Sequence, residues 1–81
     1  MPLFMDVHKG VDGLTAEAVA GAHAKDLETQ DQFGAKYLNY WYNAEDGTVF
    51  CLAEAPDSEA VMAVHREGHG LVADEIIQVS E

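Results

Sequence analysis

The sequence predicts an α+β sandwich: a four-stranded antiparallel sheet with two helices on one of its faces. Three observations carry that expectation. Strand-like and helix-like stretches follow one another in the order β-α-β-β-α-β along 81 residues. The two central strand stretches are separated only by "AEDG", a turn that joins neighbours as a hairpin. Each helical stretch opens on a residue suited to cap it, Thr15 or Asp57. With strands in the spatial order 4-1-3-2, this is the ferredoxin-like sandwich, a single domain over residues 1–81.

The first strand is "PLFMDVH", Pro2 to His8. Leu3, Met5 and Val7 alternate and are expected to face the helices, which turns Phe4, Asp6 and His8 to the other side. After a Gly-containing connection the first helix follows, "AEAVAGAHAKDLETQDQF", capped by Thr15, with Glu17 in its first turn and Gly34 as its stop. Its apolar stripe reads Ala16, Val19, Ala20, His23 and Leu27. "AKYLNYWYN" is a strand by aromatic density and pairs with "TVFCLAEA". Pro56 ends that strand and Asp57 caps the second helix, whose stripe is Val61, Val64, His65 and Gly68. "EIIQVSE" is the last strand. One sheet face has no helix over it and carries either the Tyr37/Trp41 set or the Tyr40/Tyr42 set, which points to a homodimer.

Fifteen acidic residues against four basic ones give a net charge of −11, which works against binding nucleic acid or an anionic membrane. The same charge concentrates cations near the surface. No segment has transmembrane length, and the start lacks the basic and apolar runs of a signal peptide, so a cytoplasmic protein is expected. Cys51 is the only cysteine, which excludes an internal disulfide and a cysteine-based zinc motif.

The chemistry-bearing residues are the histidines. In "AVHREGHGL", His65 and His69 lie one helical turn apart on one face. Glu67 stands about 200° around the helix from His65 at 100° per residue, so a zinc-protease arrangement is excluded. Topology brings His8, at the end of the first strand, to the same end of the sandwich as His69, with His65 a turn below, Asp74 and Glu75 nearby, and His23 midway along the first helix. Imidazoles beside carboxylates suit zinc, copper, nickel or iron. His23 and His65 also have a structural reading as half-buried core residues, and His69 as a helix-end cation, while His8 is the least explained by structure. Cys51 reads as a core thiol, or a soft ligand if it faces a histidine. Glu54 closes its strand at the opposite end.

With those residues placed, the chain resembles a family of small bacterial nickel-binding proteins. The resemblance spans the whole chain and rests on "MPLFMDVH", "AHAKDL", "YLNYW", "TVFCLAEAPDSEAV" and "VHREGHGLVADEIIQV", the last two blocks being the specific ones. It implies a ferredoxin-like homodimer that binds Ni2+ for sequestration, buffering or tolerance, with His8, His23, His65 and His69 at the family's histidine positions. The residues themselves do not select nickel over Zn2+ or Cu2+. An alternative is a small dimeric enzyme acting on a small organic molecule, with His23 or His65 as general acid/base and the aromatic residues lining a pocket. A closed apolar cavity beside those histidines would favour that alternative.

Overall fold

The computed structural model describes residues 1–80. Strand β1 (Leu3–His8) leads to helix α1 (Ala16–Thr29), which tightens into a 3-10 turn over Gln30–Phe33. The hairpin β2 (Lys36–Asn43) and β3 (Thr48–Glu54), helix α2 (Ser58–Gly68) and strand β4 (Glu75–Val79) complete the chain. The strands form one antiparallel sheet in the order β2-β3-β1-β4, the arrangement expected from the sequence. Of the last strand's expected residues, Glu81 lies outside the described ones.

Local chemistry accounts for the helix ends. The Thr15 and Asp57 side chains accept the backbone N–H groups of Ala18 and Ala60, satisfying a donor that the first turn of each helix leaves free. Gly34 ends the first helical segment in the left-handed conformation at φ 68°. In the hairpin turn, Gly47 also has positive φ, and its carbonyl accepts the Val11 N–H at 2.9 Å. A Cβ at Gly47 would sit 2.9 Å from both Val11 N and Val11 O, so the turn and the β1–α1 loop dock through a position only glycine fits.

Two expectations about facing are overturned. The side of β1 that meets the helices carries Phe4, Asp6 and His8, all buried, whereas Leu3, Met5 and Val7 lie on the open side. Register shows this directly: Phe4, Asp6 and His8 stand opposite Ala53, Cys51 and Val49, which belong to the core or border it. Both sides of β1 hold apolar residues, so alternation alone could not choose between them. In α1, Leu27 is exposed, and the inward residues are Val19 and Asp26. The stripe is rotated toward Asp26 because that carboxylate has partners inside.

A bulge in β2 between Tyr37 and Asn39 resets its alternation. Tyr37 and Tyr40 therefore share the helix side, and Trp41, opposite Phe50, faces outward. The core between sheet and helices is built from Phe4, Val19, Tyr37, Ala53, Val61 and Val64 with their neighbours. The stripe expected on α2 holds: Val61, Val64 and His65 are all fully buried or nearly so.

A candidate metal centre of buried histidines and aspartates

His65 is the hub of the interior, at 1 % exposure. Its place follows from α2, whose apolar face carries Val61 one turn earlier and Val64 beside it and presses against the sheet. The ring then meets carboxylates from two other elements. Nε2 is 2.7 Å from Asp6 Oδ2 on β1, and Nδ1 is 2.9 Å from Asp26 Oδ1 on α1. A ring that donates from both nitrogens to carboxylates is an imidazolium. Burial lowers the His65 pKa, but the hydrogen bonds and charges of Asp26 and Asp6 outweigh it and lift the value to about 9.

The carboxylates show the converse balance. Burial pushes Asp6 up, yet the hydrogen bond from His65, the nearby His8 nitrogen and the charge of both rings hold it at about 2. Asp26 is likewise held below the usual carboxylate range, by His65 and His69 against its own burial. Tyr37 closes the cluster from β2. Its hydroxyl lies 3.2 Å from Asp6 Oδ2 and from the Val61 carbonyl, and 3.1 Å from His65 Nε2. Burial and the Asp6 charge push its own ionisation far up, so it remains a neutral donor.

His69 caps α2 and joins from the edge. The backbone N–H of Leu71 donates to its Nδ1 at 3.1 Å, which leaves the ring proton on Nε2. That nitrogen lies 3.0 Å from His65 Nδ1 and 3.1 Å from Asp26 Oδ1, the oxygen that receives His65 Nδ1–H. His8 approaches from β1, its ring edge-on to His65 at 4.9 Å between centroids. Its Nε2 is 3.2 Å from Asp6 Oδ1, but out of line for a hydrogen bond, and Asp6 Oδ1 is buried with no hydrogen-bond partner among the described residues. Cys51 lies across from Asp6 in register; its thiol is pushed up by burial and by the Asp6 charge, so it is protonated at rest.

Among the described residues, two groups therefore each hold their donor atoms within 4.8 Å of one another: Asp6, His8, Cys51 and His65, and Asp26, His65 and His69. Of the histidines singled out from the sequence, the fold brings His8, His65 and His69 together. His23 belongs to neither group; its ring packs on Tyr40 at 4.7 Å and its Nδ1 is buried without a partner among the described residues. Glu54 ends β3 opposite Leu3 and Lys36, at the far end from His8.

Sequence reasoning missed Asp6, Asp26 and Tyr37. Signals existed for the first two. Aspartate is disfavoured in strand interiors, so one flanked by Met5 and Val7 calls for a buried partner. Asp26 continues the helical spacing Val19, His23, Asp26. Tyr37 gave no such signal, because the bulge that turns it inward is not visible in the pattern.

A ferredoxin-like α+β sandwich with an interior histidine–aspartate cluster is the class of protein that fold and site define. The chain belongs to the family of SCO4226-like nickel responsive proteins, which it matches over residues 4–79. Its fold is similar to the crystal structure of SCO4226 from Streptomyces coelicolor A3(2), at a TM-score of 0.89 and 40% sequence identity, covering 95% of this chain and 94% of that one. Among curated proteins nothing matches.

Proposed function

We propose that this protein binds a divalent transition metal, nickel first, and holds it for sequestration, buffering or tolerance in the cytoplasm. The observation that carries this reading is the bare Asp6 Oδ1, a buried carboxylate oxygen with His8 Nε2 3.2 Å away and no hydrogen bond of its own. Leaving such an oxygen unpaired costs about 1–3 kcal/mol or more, and a cation would remove that cost. Charge supports the same conclusion. Asp6 and Asp26 are ionised against one imidazolium, so before His8 and His69 are counted the interior is short of one positive charge.

The donor set suits a borderline metal: carboxylate, imidazole and, if the metal displaces its proton, the Cys51 thiolate. In this reading Asp6 and His8 are the first donors. His65 acts as a fixed cation that orients both aspartates, since each of its nitrogens is already bonded to a carboxylate. The same bonds weaken the alternative of an acid/base enzyme built on His65, because neither ring nitrogen is free to take a proton from a substrate. We further infer that a second copy of the chain covers the open sheet face. Trp41 and Ile77 there are 47% and 50% exposed, and Leu38 and Phe50 extend the apolar patch.

Calorimetric titration of metal-stripped protein with nickel, zinc and copper tests the reading, on wild type, His8→Ala and Asp6→Asn, each checked for a native circular-dichroism spectrum. Micromolar or tighter binding, weakened tenfold or more in both variants and falling as pH drops, is expected. Equal binding in all three proteins would sink the interior ligand set. Weaker binding of nickel than of zinc would remove nickel as the preferred ion.

A further inference from the structure

Beside the cluster lies a cavity of about 180 Å³ between sheet and helix α1. Val11, Leu14, Val19, Val49 and Leu71 line it, so most of its wall is hydrocarbon. The cluster's His8, Asp26, His65 and His69 border it on one side, and His23 and Tyr40 are among its other polar residues. His23 is outside both metal-ligating groups and is not used by the metal reading. Its Nδ1 is nonetheless buried, beside this space, with no hydrogen-bond partner. A native interior seldom leaves such an atom unmatched without a water, an ion or a ligand to meet it.

We propose that this cavity is a binding site for a small uncharged molecule: one ring, or a branched carbon skeleton of like size, bearing a single hydroxyl that bonds His23 Nδ1. Size sets the skeleton, since an apolar protein cavity of about 150 Å³ accommodates benzene. The walls set the polarity. A charged group would lose its hydration against hydrocarbon, and an anion would also face the Asp12 and Asp26 carboxylates, while the His65 cation is already bonded to Asp6 and Asp26. Asp26 Oδ1 already receives the His65 Nδ1–H and has His69 Nε2 3.1 Å away, so it offers a cation little in return. A hydroxyl is the matching head group because it both donates and accepts, and thus meets Nδ1 in either tautomer of the ring. An ether or ketone meets only one. This site stands independently of the metal, and its test is run on metal-stripped protein.

Phenol, toluene and benzoate are the probes, titrated into uniformly 15N-labelled protein and followed by amide chemical shifts. Phenol is expected to saturate in the millimolar range or below, with shifts confined to the amides around Val19, His23 and Leu71. Toluene should move the same amides with about three- to tenfold weaker affinity, the worth of one hydrogen bond. Benzoate should bind more weakly than phenol. His23→Phe keeps a ring against Tyr40 and removes Nδ1, so phenol should lose its advantage over toluene. Ala22→Leu, which intrudes on the lined space, should weaken both by tenfold or more. Absence of saturable, localised shifts with phenol in wild type would overturn the proposal. So would equal affinity for phenol and toluene in wild type, or a phenol preference that survives in His23→Phe.

Discussion

At the residue scale, His65 and its two aspartates set the pH behaviour of the metal-free fold. The His65 pKa rises from an ordinary 6.5 to about 9 on folding. Its contribution is therefore fully present below about pH 6.5 and is lost as pH rises through about 9, a difference of roughly 3 kcal/mol. Asp6, held at about 2 against an ordinary 3.8, contributes above pH 3.8 and loses that contribution as pH falls through about 2. These are two ends of one interaction and do not add. Thermal unfolding at a series of pH values should thus show a midpoint that declines between pH 7 and 10, and the His65 ring protons should titrate near pH 9 by NMR. A ring titrating near pH 6.5 would contradict the double hydrogen bond. Asp26→Asn removes a charged partner from both His65 and His69. It should lower the unfolding free energy by about 3 kcal/mol in urea and lower the His65 titration midpoint.

At the scale of elements, the β2–β3 turn and the β1–α1 loop are locked together through Gly47. Gly47→Ala combines positive φ with a Cβ 2.9 Å from backbone atoms of Val11, which cannot yield as a flexible side chain would. Gly13→Ala has the same φ of 68° but meets nothing within 4 Å, so it isolates the cost of backbone conformation. Gly13→Ala should cost about 1 kcal/mol and Gly47→Ala at least about 2 kcal/mol, read from urea unfolding. Equal costs would mean the loop shifts aside freely. The helix caps are worth less: Thr15→Ala should cost about 1 kcal/mol by the same measurement.

For the whole molecule, the governing feature is a sheet with two unlike faces. One face, with the helices, encloses the aspartates and histidines; the other presents Leu38, Trp41, Phe50 and Ile77 to the outside. An 81-residue chain buries roughly 60–65% of its unfolded surface alone, so covering that second face would add stability that a small domain lacks. Light scattering coupled to size exclusion should report a dimer for the wild type and a monomer for Trp41→Glu/Ile77→Lys. A monomeric wild type at tens of micromolar would remove the second copy as the occupant of that face.

Element order, helix caps, the hairpin and the sheet order were legible in the sequence, because each depends on neighbours within a turn or on short connections. The end of the sandwich that His8 and His69 share, with His65 a turn below, was legible for the same reason, because strand and helix directions fix it; that the His8 ring turns inward beside His65 was not. Which side of β1 faces inward was not legible, since Leu3, Met5 and Val7 compete with Phe4 and only the helices laid over the sheet decide between them. That decision carried Asp6 inside, opposite His65, and left Leu3 and Met5 toward the open face. Asp26 and Tyr37 joined through contacts 39 and 28 residues distant in the chain, one after a rotation of α1 and one through a bulge in β2. The sequence by itself determined the frame and the end of it that His8 and His69 share; tertiary packing alone decided that His8 would face inward and that buried carboxylates would surround His65, because burial of charge is settled by partners that only the folded chain supplies.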